Sequence, residues 1–263
     1  MNEHKLNNNE FDRLVNHASF KMKLNEIRLK QHYQNREQNA KVTVIMPTWN
    51  RAFIIQRSID SVLQQSYRNF ELIISDDGSS DNTETVLNKR YGNESRINYI
   101  KNEHYGVSHA RNVALRQAQG NLIAYLDSDN EWSKDYLLLM VNTFVDFPEI
   151  NTLYCGIRYI DQPSKRDFIL FKEYERKALL ERNFIDINIF MHRTALFKNL
   201  HGFNDEYNGL EDWEFIIRYT QDNFPKALEC CLATYYRQKG LSNLTLTKDL
   251  YDTFQKIRQL HTV

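Results

Sequence analysis

Asp127 and Asp129 stand two residues apart at the end of an apolar run, residues 122–126. In an extended segment residues i and i+2 point the same way, so both carboxylates can face one divalent cation, with Mg2+ or Mn2+ favoured over softer metals. The same pattern suits a turn that closes a strand, its Asp and Asn side chains capping backbone N–H groups. A calcium-binding EF-hand loop does not fit, because its sixth position would be Trp132 instead of glycine and its twelfth Leu138 instead of glutamate. A second acidic group, Glu211, Asp212 and Glu214, opens an amphipathic stretch. Acids there can serve as a general base or interact with the exposed N–H groups of a first helical turn. Asp76-Asp77-Gly78-Ser79 ends another apolar run.

The elements that must position these groups form two patterns. Apolar, β-branched runs at 42–46, 70–75, 97–100 and 122–126 alternate with helical spacing at 53–65, 82–90 and 107–119. Short, nearly continuous apolar strands between helices predict a parallel sheet covered on both faces. The first two runs begin about 28 residues apart, as a strand–helix–strand unit requires. After Trp132 the alternation loosens, with helices predicted at 134–145, 210–220 and 246–260 and strands at 152–160 and 227–236. Residues 1–41 carry 8 basic and 5 acidic side chains and no glycine or proline. Phe11, Leu14, Val15, Ala18, Met22 and Leu29 fall near one face of a 3.6-residue period, which predicts an amphipathic helical extension. That face would pack on the body, or serve dimerisation or docking to a partner or membrane surface. The expected organisation is 1–41 as this extension, followed by two halves, 42–132 and 133–263, that share one core.

Composition narrows the function. The chain has 263 residues, 41% hydrophobic and 26% charged, so it folds; 34 basic residues against 34 acidic ones give no global attraction to nucleic acid or anionic membrane. Only 8 glycines and 4 prolines exclude collagen-like and linker classes. Cys155, Cys230 and Cys231 lack the spacing of a zinc or redox motif. No apolar run approaches the roughly 18 residues of a membrane span, and the N-terminus lacks a secretion signal. The expected address is the cytoplasm, with room for a peripheral place at the inner face of the membrane.

In such a sheet, ligands bind beyond the carboxyl ends of the strands. Those ends read Pro47-Thr48-Trp49-Asn50-Arg51, Asp76-Asp77-Gly78-Ser79, Lys101-Asn102-Glu103-His104 and Asp127-Ser128-Asp129-Asn130. One crevice would therefore gather two aspartate pairs, several amides and basic groups. Neither a Walker phosphate loop nor a G-x-G-x-x-G fingerprint is present, against a P-loop NTPase or a nicotinamide dehydrogenase.

Five segments, in order, resemble the family 2 glycosyltransferases. They run from Val42 to Arg51, Phe70 to Thr83, Gly106 to Asn112, Gly120 to Asn130, and Gly202 through Glu206 to Gly209-Leu210-Glu211-Asp212-Trp213. The resemblance covers about 42–240 and implies the GT-A fold, a Rossmann-like α/β architecture, and an inverting, metal-dependent enzyme. It implies a nucleotide-sugar donor, most often a uridine diphosphate sugar, held by Pro47, Thr48 and Asp77, with Asn50, Arg51, Asp76 and Ser128 close by. Asp127 would face the ribose or metal and Asp129 would ligate the cation, Mn2+ or Mg2+. Arg111 would touch the diphosphate or sugar, or anchor its helix by an ion pair. Asp212 would be the catalytic base, with Glu211 orienting it or the acceptor.

One departure stands out. Where many relatives carry an arginine and a histidine two residues on, this chain has Arg237-Gln238-Lys239. Arg237 and Lys239 would then supply positive charge near the diphosphate, with His192 and His201 as alternative imidazoles. Trp49, Trp132 and Trp213 sit beside the motifs and could stack on sugar rings or pack in the core. The acceptor would be a saccharide, a lipid-linked sugar or a protein, as in bacterial surface polysaccharide synthesis. The rival readings are an Asp-x-Asp phosphatase or nucleotidyltransferase, and a non-catalytic nucleotide-sugar sensor or scaffold. The first is disfavoured by Glu131 and by a motif on the fourth strand instead of the first.

Overall fold

In the computed structural model, which describes residues 8–207, 209–238 and 249–261, a long helix precedes an alternating strand–helix core. The order is α1 (Asn8–Tyr33), β1 (Val42–Thr48), α2 (Ile55–Leu63), β2 (Phe70–Asp76), α3 (Thr83–Tyr91), β3 (Ile97–Lys101), α4 (Val107–Gln117) and β4 (Leu122–Tyr125). The β1 side chains do not alternate between core and solvent: Val42, Val44, Ile45 and Met46 are all fully buried. Helices cover both faces, so an apolar residue suits every position. Ile55, Ile59 and Val62 recur at helical spacing on α2 and are buried on the sheet.

β1 pairs in parallel with β2 on one side and β4 on the other, and β3 extends the sheet beyond β2. The carboxyl ends of these strands therefore emerge at one edge. Chain order reverses direction across β1, and the loops on its two sides diverge there to leave a crevice.

The later elements are β5 (Glu131–Trp132), α5 (Tyr136–Asp146), β6 (Thr152–Asp161), β7 (Arg166–Leu170) and α6 (Arg176–Glu181). After a 3-10 turn at Ile187–Ile189 come β8 (Phe190–Arg193), α7 (Ala195–Leu200), α8 (Glu211–Tyr219), β9 (Lys226–Arg237) and α9 (Asp249–His261). They continue the same sheet in the order β4-β8-β6-β9-β5, with β7 on β6. β8 runs antiparallel to β4 and β6, whereas β9 is parallel to β6. A single apolar cluster spans both halves, from Val44 and Tyr125 to Phe190, Trp213 and Leu232.

Five elements escape the sequence pattern: β5, β7, β8, α6 and α7. β8 is only four residues long, and its register comes from pairing with β4 and β6. β7 is an edge strand with exposed and half-buried side chains, so no apolar run marks it.

α1 packs on the body, as one of the expected arrangements had it. Met22 and Tyr33 are buried, the Tyr33 hydroxyl donates to Asp146 at 2.7 Å, and Asn25 donates to the Glu229 carbonyl at 3.1 Å. Lys21 pairs with Glu229 and Lys30 with Asp135, both bases sitting at the solvent rim. The side chains of Phe11, Leu14 and Val15 lie outside the described residues. Among the described residues no helix is long and apolar enough to cross a membrane.

Candidate active site

A crevice of about 700 Å3 opens where the parallel strands end, lined by residues that follow β1, β2 and β4 and by the start of α4 and α8. Pro47, Thr48, Trp49 and Arg51 form one wall. Asp77, buried at the end of β2, receives the Tyr105 N–H at 2.9 Å and the Gly106 N–H at 3.0 Å. His104 Nδ1 lies 2.7 Å from its other oxygen, and the His104 ring stacks on Trp49 with centroids 4.6 Å apart. Gly106 has φ 99°, a conformation that strains any residue with a Cβ, and this lets its N–H turn onto Asp77 at the start of α4.

Asp127, Ser128 and Asp129 form the floor. Their loop is clamped from α2: Arg57 donates to the Asp129 carbonyl and Ser58 to the Asn130 carbonyl at 2.6 Å. From β9 the Tyr236 N–H donates to Asn130 Oδ1 at 3.0 Å. Burial, then the negative charge of Asp127, push the Asp129 carboxyl up to about 6, with Arg51 opposing from 3.9 Å. Asp127 is turned aside. One oxygen accepts from Arg111 at 2.8 Å and the other from Asn188 at 3.2 Å.

Arg111, buried on α4, joins the two acidic groups of the sequence. Its second arm donates to Glu211 at 3.0 Å, and its guanidinium lies 5.0 Å from the Phe203 ring centroid. The ion-pair use expected of Arg111 is the one seen, and these ion pairs lie in the crevice wall. Glu211 and Asp212 begin α8, where the helix dipole favours negative charge. Glu211 lines the crevice together with Asp205, Tyr207 and Tyr235. Half-buried Asp212 accepts its own helix's Trp213 N–H at 2.7 Å. Burial, the Glu211 charge and then the Asp186 charge push Asp212 up to about 7, while Arg111 pulls it back. Three buried polar atoms lining this space, Thr48 Oγ1, Ser108 Oγ and Arg111 Nε, have no hydrogen-bond partner among the described residues.

Several expected contacts are corrected. Asp76 is fully buried and outside the crevice lining; it accepts from the Ser79 N–H at 2.8 Å and the Tyr99 hydroxyl at 2.6 Å, shaping the turn that presents Asp77. Asn50 also serves the turn, its Oδ1 accepting the Ser80 N–H at 2.9 Å. His192 is buried on β8, beside the Tyr125 hydroxyl at 2.9 Å; burial lowers it to about 4, so it is a neutral core residue. Trp213 is fully buried, stacked on Phe254 and donating to the Leu179 carbonyl at 2.8 Å. Trp132 is likewise in the core, stacked on Tyr136. Of the three tryptophans only Trp49 lines the crevice. Arg237 pairs with Asp161 at 3.2 Å and does not line the crevice, and His201 faces solvent. Lys239 lies outside the described residues.

Asn188 and Tyr235 join the site without a sequence signal, whereas His104 and Ser108 lie in segments that the sequence marks. Asn188 reaches Asp127 across 61 positions, a contact made only when β8 docks on β4.

The chain belongs to glycosyl transferase family 2, whose sequence profile matches residues 43–200. It is 32% identical over 192 residues to the UDP-Glc:alpha-D-GlcNAc-diphosphoundecaprenol beta-1,3-glucosyltransferase WfgD of Escherichia coli, covering 72% of this chain and 73% of that protein. The putative colanic acid biosynthesis glycosyl transferase WcaA of Escherichia coli K12 is 30% identical, covering 68% of this chain and 66% of its own. The chain spans 19% of a Pasteurella multocida chondroitin synthase that is 28% identical to it. Among solved structures, S. aureus TarS 1-349 in complex with UDP-GlcNAc superposes with a TM-score of 0.69 at 24% identity, over 82% of this chain and 65% of that one. The mannosyltransferase PcManGT from Pyrobaculum calidifontis, in complex with GDP-Man and Mn2+, gives 0.58 at 19% identity, over 95% and 72%. The fold is therefore the GT-A fold. Family membership counts against the phosphatase, nucleotidyltransferase and scaffold readings.

Proposed function

We propose that the chain transfers a sugar from a nucleotide diphosphate donor to an acceptor hydroxyl with inversion, Asp212 acting as base. The observation that carries this reading is Arg111, which ties Asp127 to Glu211 in the crevice wall, while Asp212, next to Glu211 at the start of α8, does not itself line the crevice. Asp77, fixed by backbone N–H groups at the end of β2, is suited to accept a hydrogen bond from the imide N–H of uracil. Thr48, Ser108 and Arg111 offer their unpaired polar atoms to the rest of the donor.

The reaction is a single displacement. Asp212 takes the proton of the acceptor hydroxyl, whose oxygen attacks the anomeric carbon from the face opposite the diphosphate. The bond from that carbon to the phosphate oxygen breaks, and the nucleoside diphosphate leaves with the electron pair. Glu211, neutralised by Arg111, is the less available base. Asp212 has only a backbone N–H donated to it among the hydrogen bonds of the described residues, leaving lone pairs for the acceptor.

A divalent cation fits beside Asp129. Burial and Asp127 penalise its charge, and a cation there relieves both. Among the described residues no three His, Cys, Asp or Glu side chains converge on one point, so the donor's phosphate oxygens would complete the shell with Asp129, and with Asp127 if it turns from Arg111. When bound, the cation would neutralise charge on the departing diphosphate. The diphosphoundecaprenol substrate in WfgD's name supports a lipid-linked saccharide acceptor, and with it a peripheral station at the inner membrane face.

Thermal melting against a panel of nucleotide-sugars, with and without Mn2+, tests the donor assignment, because ligands that bind the native state raise its stability. A rise with uridine diphosphate sugars that grows with Mn2+ is expected. No rise with any nucleotide-sugar would overturn it.

A further inference from the structure

Behind the floor of the crevice a buried polar link runs from the Asp127 carboxylate through Asn188 to Asp186. It is made by the segment entering the 3-10 turn at Ile187–Ile189. Asp186 caps that turn, accepting the Asn188 N–H at 2.9 Å, and its other oxygen accepts the Tyr159 hydroxyl at 2.8 Å. Asn188, 1% exposed, uses both ends of its amide. Its Nδ2 donates to Asp186 at 2.6 Å and to Asp127 at 3.2 Å, while its Oδ1 accepts the Asp127 N–H at 2.7 Å. A carboxylate at 188 would supply no donors between two other carboxylates, and an aliphatic residue would leave all three contacts unmade.

We propose that Asp186 and Asn188 are positioning residues for the transfer, Asn188 holding Asp127 against Arg111 and Asp186 setting the electrostatic surroundings of Asp212. The second half rests on the reading of Asp212 as base. α8, which begins with Glu211 and Asp212, packs against the 3-10 turn that Asp186 caps, so the two carboxylates lie on touching elements. Among the described residues the charged and titratable groups around Asp212 are Glu211 on its own helix, Asp186 from the turn, Arg111 from α4, Tyr159 from β6 and Tyr235 from β9. Asp186 is the negative neighbour that a substitution can remove without touching the crevice lining. Its removal would let Asp212 give up its proton at lower pH, whereas loss of Asn188 would loosen Asp127 and take one hydrogen bond from Asp186.

The test is a 13C-carboxyl NMR titration of Asp212, assigned with Asp212→Asn, in the wild type, Asp186→Asn, Tyr159→Phe and Asn188→Ala. It is paired with UDP release from UDP-glucose and with UDP-glucose affinity. Asp186→Asn should lower the Asp212 midpoint by about half a pH unit or more. Tyr159→Phe, which weakens the charged form of Asp186, should move it the same way by less and covers the case that Asp186→Asn does not fold. Asn188→Ala should weaken UDP-glucose binding about tenfold. An unchanged Asp212 midpoint in Asp186→Asn, or in Tyr159→Phe where only that variant folds, overturns the electrostatic link, and unchanged UDP-glucose affinity in Asn188→Ala overturns the positioning of Asp127. If Asp212→Asn releases UDP at the wild-type rate while the midpoint still moves in Asp186→Asn, the link stands and the base assignment falls.

Discussion

The Arg111 guanidinium lies 3.0 Å from Glu211, a contact across 100 positions of sequence that closes the acceptor side of the crevice onto its donor side. The same group reaches Asp127 at 2.8 Å, so one buried cation balances two acids. Arg111→Ala would leave both without their cation. Removing one partner of a buried ion pair costs about 3 kcal/mol or more. Urea denaturation should show a loss of that size, and Arg111→Lys should recover little of it, because a single ammonium cannot span both acids as the guanidinium fork does.

Transfer should follow the ionisation of Asp212. Its carboxyl, raised to about 7, is an active base only when deprotonated, so kcat/KM should fall as pH drops through 7. Stability should run the other way. Between the ordinary aspartate range and pH 7 the folded state binds the extra proton, so this group's contribution to stability declines as pH rises and is most favourable on the acid side. Thermal melting at pH 8 should therefore show Asp212→Asn to be more stable than the wild type by ~1 kcal/mol.

His192 gives the opposite stability profile. Burial lowers it to about 4 from an ordinary value of 6.5, so the unfolded chain takes up the proton first. The stability of keeping this imidazole neutral is present above 6.5 and is lost as pH falls toward 4, by roughly 2–3 kcal/mol in all. Denaturation midpoints of wild type and His192→Gln across that window should converge toward the acid end. The response of transfer to Mn2+ should be the same in both, which separates a core histidine from a metal ligand.

Asp129 is the group through which a cation should act. In Asp129→Asn, calorimetric titration of UDP should no longer tighten when Mn2+ is added, whereas wild-type affinity should rise about tenfold or more. An equal Mn2+ effect in both proteins would remove Asp129 from the metal site.

What could be read from sequence follows a physical division. β1, β2 and β4 are buried on both faces, so their identity is written locally as apolar runs, and the acids at their ends mark the crevice. The polar residues of those same loops divide in a way no spacing reveals. Asp77 faces the crevice while its neighbour Asp76 faces Ser79 and Tyr99, because successive side chains point to opposite sides. Trp213 follows the same logic on α8: beside Asp212 in sequence, it turns into the core against Phe254. Asn188 and Asp186 were beyond reach, since their partners Asp127 and Tyr159 arrive only through the antiparallel pairing of β8 with β4 and β6.

The central claim is that Asp212 takes the proton from the acceptor hydroxyl. The most direct measurement compares wild type and Asp212→Asn for transfer from the uridine diphosphate sugar selected by thermal melting, alongside calorimetric affinity for that donor. In Asp212→Asn, kcat should fall about a thousandfold with donor affinity within a few-fold of wild type. Transfer at the wild-type rate by Asp212→Asn would contradict it.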